Sequence, residues 1–315
     1  MNQQAIRLSP AFKDYLWGGT KLKEKYNKHS DLAKVAESWE LSTHKDGPSI
    51  VSGGEFDGLT MNEYLEKNAG CIGARAEKFE YFPILIKFID ALDNLSVQVH
   101  PDDEYALRVE GEYGKTEMWY VLEADKGASL YYGVKKEISR EELKERIENN
   151  TLLEVLNAVP VHTGDVFFIP SGTIHAIGKG IVLCEIQQNS NTTYRVYDYD
   201  RRDKNGNPRE LHIAKALEVA TLTPSPATPV DHSGGNDIVL ASCKYFMVRR
   251  LLPKDGMKVS ITDQCFHSLI ITDGSGTLTL NGETMNLQKG DSIFIPAQNG
   301  EYTLQGDCNV VLSYV

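Results

Sequence analysis

One heptapeptide occurs twice in this chain of 315 residues, and this repeat limits the possible folds more than any other feature. The first copy is Gly164–Pro170 (GDVFFIP) and the second is Gly290–Pro296 (GDSIFIP). In each copy Gly-Asp favours a tight turn into a short strand, which ends at a proline because proline has no N–H to donate. Both copies lie among strand-forming residues, so the repeat predicts a duplicated β-barrel unit.

Short strand-forming runs recur between Gly, Asp and Asn residues along most of the chain. Many short strands separated by turn residues predict a mainly β protein, either a barrel or a sandwich. The predicted strands are Ile84–Ile89, Leu95–His100, Glu117–Leu122, Ser129–Tyr132, Asp165–Ile169, Gly180–Gln188, Thr193–Tyr199, Tyr245–Leu251, Ser268–Thr272, Gly276–Leu280 and Ser292–Ile295.

Two segments interrupt this pattern as predicted helices. Ser139 and Glu142 have the spacing of a capping box, and they open a predicted helix over Glu141–Leu156. We expect this helical segment, at about residues 139–157, to cover the barrel. The second predicted helix is His212–Ala220.

A proline- and glycine-rich segment, Thr221–Gly235, predicts a linker after the second helix. We therefore place a domain boundary near residue 232. Residues 1–232 are expected to form the larger, catalytic domain, and residues 233–315 a smaller β domain.

The overall charge and the cysteine pattern exclude several classes of function. The net charge is −11, and no basic cluster is visible, which argues against binding to nucleic acid. The N-terminus has no signal-peptide pattern, and the longest apolar run, near residues 82–86, is too short to span a membrane. The five cysteines are widely spread without a Cys-x-x-Cys pair. A reducing cytoplasm is therefore the predicted location.

The first copy of the heptapeptide continues into a histidine at a specific distance. The run from Gly164 through Pro170 and Gly172 to His175 resembles the second cupin motif, in which this histidine binds a metal inside a small barrel. The second copy lacks the glycine and the histidine at the matching places. We therefore expect one jelly-roll cupin barrel with a metal, followed by a degenerate cupin-like barrel without one.

A second group of polar residues shares one face of a predicted strand. Because side chains alternate along a strand, Ser96, Gln98 and His100 point the same way. An acidic ligand is also expected, to offset the charge of a metal ion. Glu104 has the spacing of the first cupin motif, whereas Glu117 lies on the next strand, and spacing alone does not choose between them.

Five motifs in order resemble the type I mannose-6-phosphate isomerases in their short bacterial form. They are SVQVHP at residues 96–101, KTEM at 115–118, GTIHA at 172–176, EIQ at 185–187 and YRVYDY at 194–199. The resemblance implies one Zn²⁺ per chain, bound by Gln98, His100, Glu117 and His175. It thus favours Glu117 over Glu104 as the acidic ligand.

The resemblance also implies interconversion of mannose 6-phosphate and fructose 6-phosphate through an enediolate. That reaction requires a base, an electrophile and a cation for the phosphate. Arg195 is predicted to be catalytic. Arg195, Ser96 and Lys115 are predicted to bind the substrate. Lys115 and Glu185 are rival candidates for the base, and the sequence does not choose between them.

Two other classes of function fit a cupin barrel. An iron dioxygenase usually keeps open positions on a three-residue facial triad, and a fourth protein ligand, Gln98, argues against it. A non-catalytic sugar-binding cupin would need the pocket, but not Lys115, Glu185 and Arg195 together.

Overall fold

The computed structural model describes residues 4–202, 205–225 and 234–315. Within these ranges the chain forms strands in three antiparallel sheets, with short helices outside them. The predicted domain boundary near residue 232 lies outside the described residues and stays a prediction. None of the helices in the described part of the chain is long and apolar enough to cross a membrane.

The strands are β1 (Ile6–Ser9), β2 (Ala11–Lys13), β3 (Glu37–Leu41), β4 (Ile50–Ser52), β5 (Ile84–Ala91), β6 (Val97–Val99), β7 (Glu117–Ala124), β8 (Ser129–Val134), β9 (Leu156–Pro160), β10 (Val166–Ile169), β11 (His175–Ala176), β12 (Ile181–Gln188), β13 (Tyr194–Tyr197), β14 (Asp237–Ser242), β15 (Met247–Leu251), β16 (Met257–Ile261), β17 (His267–Leu280), β18 (Glu283–Gln288), β19 (Ser292–Ile295) and β20 (Gly300–Tyr314). The α helices are α1 (Lys21–Lys25), α2 (Met61–Lys67), α3 (Asp103–Val109), α4 (Arg140–Glu148) and α5 (Ile213–Val219). Two 3₁₀ helices lie at Ala76–Lys78 and Leu152–Glu154.

Two of the sheets form the first barrel. The inner sheet has the strand order β10-β7-β12-β5-β3-β2, and the outer sheet has the order β13-β6-β11-β8-β9. Apolar side chains of both sheets, such as Trp119, Leu183 and Leu130, pack between them. The opposite face of the outer sheet is covered by α4 and α5. The two sheets are not packed together along their whole length, and the cavity that remains between them is lined by residues of both sheets.

The third sheet, here called the C-terminal sheet, curls around its own apolar core. Its main path runs β14-β15-β20-β17-β19-β1-β4, with β16 beside β20 and β18 beside β17. One side encloses residues such as Leu269, Ile293 and Leu312. The other side contributes Ile270 and Phe294 to a core shared with the inner sheet. The predicted mainly β architecture, with a helical insertion and a second barrel, is confirmed.

The repeated heptapeptide forms the same structure in both barrels. Gly164 and Gly290 share a positive φ of 92°. Oδ2 of Asp165 accepts a hydrogen bond from the backbone N–H of His162, and Oδ2 of Asp291 accepts one from Gln288, at 2.7 and 2.8 Å. The strand that follows pairs with β7 in the first barrel and with β17 in the second. The repeat is thus a duplicated turn and strand.

The predicted helix over Glu141–Leu156 is wrong at its C-terminal end. Helix α4 stops at Glu148, and Asn150 adopts a positive φ of 56°, which terminates a helix. Leu152 then lies in a 3₁₀ helix, and Leu156 begins β9. Both leucines are buried in the core that α4 also contacts. Their spacing therefore matched the apolar stripe of one longer helix. The second predicted helix matches α5 within one residue at each end.

The C-terminal sheet also includes strands from the start of the chain. Strand β1 pairs with β19, and β4 pairs with β1. A buried ion pair lies at this junction: Nζ of Lys28 is 2.7 Å from Oε2 of Glu40 and also donates to the carbonyl of Gly290. A side chain at Gly290 would overlap the carbonyl oxygen of Tyr26. The second copy of the repeat therefore docks directly on the N-terminal segment.

Candidate metal centre

The four predicted metal ligands meet inside the first barrel. Gln98 on β6 is the direct strand partner of His175 on β11, so their side chains leave the outer sheet side by side. His100, two residues after Gln98, projects from the same face. Glu117 begins β7 on the inner sheet, and its carboxylate contacts both imidazoles from across the barrel.

The donor atoms of these side chains have the spacing of a metal site. Nε2 of His175 is 3.2 Å from Oε1 of Glu117, and Nε2 of His100 is 3.7 Å from Oε2. The amide end of Gln98 is 3.4 Å from both imidazole Nε2 atoms. Donors around a tetrahedral zinc ion, each bound at about 2.0–2.1 Å, lie about 3.3 Å apart. Rotating the terminal amide of Gln98 by half a turn exchanges its nitrogen and its oxygen. The oxygen, which is the atom that binds cations, then faces the two imidazoles.

Backbone carbonyls fix the orientation of both imidazoles. Nδ1 of His100 donates to the carbonyl of Thr192, and Nδ1 of His175 donates to the carbonyl of Thr173, each at 2.8 Å. With the proton on Nδ1, the Nε2 lone pairs face Glu117. Burial, with Lys115 nearby, lowers the pKa of His100 well below its usual value. The His100 imidazole is therefore neutral, which is the form that binds metals.

Glu117 is fully buried, and neither of its oxygens accepts a hydrogen bond of regular geometry from the described residues. Nζ of Lys115 lies 3.1 Å from Oε2 of Glu117 and 3.3 Å from Nε2 of His100. Burial raises the pKa of Glu117, but the charge of Lys115, followed by the contacts with the two imidazoles, outweighs that effect and holds this pKa well below the usual range. A buried ionised carboxylate beside two imidazoles fits a divalent cation.

A cavity of about 290 Å³ opens beside this centre. Gln98 of the metal centre forms part of its wall, and charged side chains from both sheets form much of the rest. The lining residues are Tyr15, Trp17, Glu37, Lys87, Ile89, Leu95, Ser96, Gln98, Lys115, Ile177, Glu185, Asn191, Thr193, Arg195 and Arg209. A polar pocket of the first barrel therefore reaches the candidate metal centre.

Three buried charges lie in line on the inner-sheet wall of the cavity. Nζ of Lys87 is 3.4 Å from Oε2 of Glu185 and 3.7 Å from Oε2 of Glu37. Oε1 of Glu185 accepts a hydrogen bond of 2.9 Å from the indole of Trp119. Burial, followed by the charge of Glu117, raises the pKa of Glu185. A carboxylate with a raised pKa, facing a cavity, is suited to accept and return a proton.

Arg195 and Ser96 lie together on the outer-sheet side of the cavity. Nε of Arg195 donates to Oγ of Ser96 at 3.2 Å, and a terminal nitrogen donates to the carbonyl of Glu210 at 3.1 Å. Burial lowers the pKa of Arg195, as does the nearby Arg209. The structure thus holds a guanidinium group at the cavity, within the same pocket as Lys115.

The structure places the predicted site residues either in the lining of this cavity or in the buried donor cluster beside it, and their roles stay predictions. Glu104 lies elsewhere, exposed in the first turn of α3. At the matching place in the second barrel, Glu301 is exposed and paired with Lys258. That barrel is filled by apolar side chains.

Sequence reasoning missed several lining residues, among them Glu37, Lys87 and Arg209. Lys87 carried a usable signal, because a lysine inside the apolar run Ile84–Ile89 must find a buried partner. Glu37 and Arg209 carried none, since each looks like an ordinary surface charge until the chain is folded. Trp17 both packs in the core of the first barrel and lines the cavity.

The double barrel and the buried donors define a cupin protein with a candidate metal site in its first barrel. Two family models match the chain: phosphomannose isomerase type I, catalytic domain, over residues 5–128, and mannose-6-phosphate isomerase, cupin domain, over residues 237–315. A mannose-6-phosphate isomerase of Streptococcus mutans is 39% identical, over 95% of this chain and 94% of that protein. The chain belongs to the type I mannose-6-phosphate isomerase family.

Solved structures share the whole fold. A mannose 6-phosphate isomerase from Bacillus subtilis is 36% identical with a TM-score of 0.90, covering 99% of this chain and 100% of that one. A zinc-bound mannose 6-phosphate isomerase is 18% identical with a TM-score of 0.80, covering 99% of each chain. The latter likeness shows the fold alone. The predicted family and cupin fold are confirmed.

Proposed function

We propose that this chain interconverts mannose 6-phosphate and fructose 6-phosphate, with one Zn²⁺ per chain at the candidate centre. The observation that carries the proposal is a cluster of four metal-type donors next to a cavity lined by Lys115, Glu185 and Arg195. Family membership supplies the substrate, since the similar proteins are named for it. The five cysteines are free thiols, which supports the predicted cytoplasmic location.

Gln98, His100, Glu117 and His175 would hold the zinc ion. Imidazole nitrogens and a carboxylate suit Zn²⁺, and an amide oxygen is a weak further donor. Bound zinc would supply Lewis acidity next to the sugar oxygens. The fixed Nδ1 protons of both histidines and the ionised state of Glu117 support this assignment.

Lys115 and Glu185 are the two candidates for moving the proton between C1 and C2. Glu185 is buried, faces the cavity and has a raised pKa, which favours it as the base of an enediolate mechanism. Lys115 contacts Glu117 and His100, so its ammonium group lies where negative charge on the substrate oxygens would need support. Arg195, held by Ser96, is assigned to the phosphate or to the enediolate oxygens.

A coupled assay for fructose 6-phosphate formed from mannose 6-phosphate tests the function. The expected result is turnover that a chelator abolishes and added Zn²⁺ restores. Oxygen consumption without isomerisation would indicate a dioxygenase. Sugar binding without turnover in either direction would indicate a binding protein, and either result would overturn the proposal.

The choice of base has its own test. Removing the general base typically costs about 10²–10⁴ in rate. Glu185→Gln should therefore lose that much kcat, and it should also stop the exchange of the substrate C2 hydrogen with solvent. Lys115→Met should lower kcat while the variant still exchanges that hydrogen slowly. Exchange that stops in Lys115→Met but persists in Glu185→Gln would reverse the assignment, with zinc content measured in both.

A further inference from the structure

Two arginines from different segments face the same cavity. Arg195 lies on β13, and Arg209 lies shortly before α5. Both side chains line this cavity, and burial, followed by the charge of Arg209, lowers the pKa of Arg195, while Asp198 acts in the opposite direction. Two cations placed beside one another in a partly buried pocket repel each other, so this arrangement is costly unless an anion joins them.

Arg195 has no carboxylate partner within 4 Å in the part of the chain that the structure describes. Its Nε and one terminal nitrogen donate to Ser96 and to the carbonyl of Glu210. Its other terminal nitrogen has no hydrogen-bond acceptor among residues 4–202, 205–225 and 234–315. The guanidinium is therefore held in position by neutral oxygens, with donors left for a ligand.

Arg209 is held differently, by a buried carboxylate. Its Nε and one terminal nitrogen donate to Oδ2 and Oδ1 of Asp198, at 2.7 and 2.5 Å. Asp198 also accepts from Arg201, at 2.5 Å to Oδ1. Burial raises the pKa of Asp198, but Arg209 and Arg201 outweigh it and lower the pKa. The single negative charge of Asp198 does not balance the two positive charges of Arg201 and Arg209. The second terminal nitrogen of Arg209 has no acceptor among the described residues.

We propose that Arg209 is a second phosphate-binding residue, which acts with Arg195 on the substrate phosphate, and that Asp198 is its positioning residue. The ligand class is a phosphate monoester, whose dianion accepts several charge-assisted hydrogen bonds. Planar guanidinium groups match the geometry of phosphate oxygens. This inference rests on the proposed function only for the identity of the sugar.

The arrangement also gives the substrate a direction in the cavity. The phosphate lies at the Arg195–Arg209 side, and the carbons that exchange hydrogen lie at the side of Lys115, Glu185 and the metal donors. A sugar without a phosphate loses the arginine contacts and keeps those near the metal. Arg209 is therefore a residue that selects phosphorylated over free sugars.

Binding of inorganic phosphate, measured by calorimetry on the zinc-loaded protein, tests the proposed phosphate site of Arg195 and Arg209 without any turnover. Arg209→Gln should weaken phosphate binding at least tenfold, because a charge-assisted pair is lost. The matched control is Arg202→Gln, since Arg202 is exposed on the same segment, donates to the Gly206 carbonyl and does not line the cavity. It should bind phosphate like the wild type. Equal loss in both variants, or none in Arg209→Gln, would overturn the proposal.

Kinetics separate binding from a merely structural effect. Arg209→Gln and Asp198→Asn should raise the KM for mannose 6-phosphate at least tenfold, while the inhibition constant of free mannose stays unchanged. Arg209→Lys, which keeps the charge and is the milder change for folding, should fall between wild type and Arg209→Gln. A parallel loss for free mannose would mean that Arg209 only shapes the pocket. If the wild type binds phosphate through Arg209 but does not isomerise mannose 6-phosphate, the phosphate-binding role of Arg209 is supported and the proposed function is wrong.

Discussion

His267 occupies in the second barrel the strand position that Glu117 occupies in the first. Glu117 is paired with Ile169 and His267 with Ile295, the residues just before the prolines of the repeated heptapeptide. Glu117 faces two imidazoles, whereas Nδ1 of His267 lies 3.0 Å from the hydroxyl of the buried Tyr302. The duplicated position thus belongs to a metal-type centre in one barrel and to a hydrogen-bonded pair in the other.

The buried His267 predicts sensitivity to mild acid. Burial lowers its pKa to about 4, below the value of about 6.5 in an unfolded chain. Between these values the unfolded chain binds the proton and the folded one does not, so stability falls as the pH drops from about 6.5 toward 4. The contribution is about 3 kcal/mol at full effect. His267→Gln, which can still pair with Tyr302, should show a smaller loss of unfolding free energy between pH 7 and 4.5 in urea titrations.

The control for this prediction is His162→Gln, because the side chain of His162 is 80% exposed. Its stability should depend on pH as in the wild type. An unchanged pH dependence in His267→Gln would contradict the prediction.

Loss of either histidine ligand should release the metal. We expect His100→Ala and His175→Ala each to weaken zinc affinity by about 100-fold or more, since even outer-shell changes cost 10–100-fold. Elemental analysis of the purified variants measures this, and their activity should fall with the zinc content. Stoichiometric zinc in His175→Ala would remove this residue from the centre.

The acidic ligand can be checked with a matched pair of glutamates. Glu117→Gln removes a fully buried carboxylate from the centre, so this variant should lose zinc and activity. Glu104→Gln changes an exposed residue of α3 and should keep both. Zinc analysis and the isomerase assay give the comparison, and the opposite result would mean that Glu104 is the ligand.

Arg195→Lys separates charge from geometry. Lysine keeps the positive charge but lacks the planar pair of donors, so we expect zinc to be retained and kcat/KM to fall at least tenfold. A fall in kcat alone would place the contact in the transition state, and a rise in KM alone would indicate uniform phosphate binding. Wild-type values of both constants would make Arg195 a packing residue.

The sequence predicted those parts of the fold that depend on local pattern and on the repeat. The strand periodicity placed Gln98 and His100 on one face, and the repeat predicted two barrels. The end of α4 could not be predicted, because Leu152 and Leu156 are buried by a 3₁₀ helix and a strand that keep the spacing of a helical stripe. Tertiary packing decided between these alternatives.

The pocket residues that escaped prediction depend on contacts between distant segments. Glu37 reaches the cavity only because β3 pairs with β5, which carries Lys87. Arg209 reaches it because Asp198, eleven residues earlier, holds its guanidinium. A single sequence contains no local signal for either contact, whereas the metal donors lie within motifs of fixed spacing.

The pairing of β1 with β19 has a consequence for synthesis on the ribosome. Ile6 is the partner of Phe294, so the first strand to leave the ribosome must wait for almost the last. At about 5–20 residues per second, this wait lasts about 15–60 s. During that time the edge of β1 is unpaired and the neighbouring β4 has no sheet to join. Strands β1 and β4 can join their sheet only when the C-terminal sheet is nearly translated, so we expect a nascent chain stalled before residue 290 to be protease-sensitive at its N-terminus.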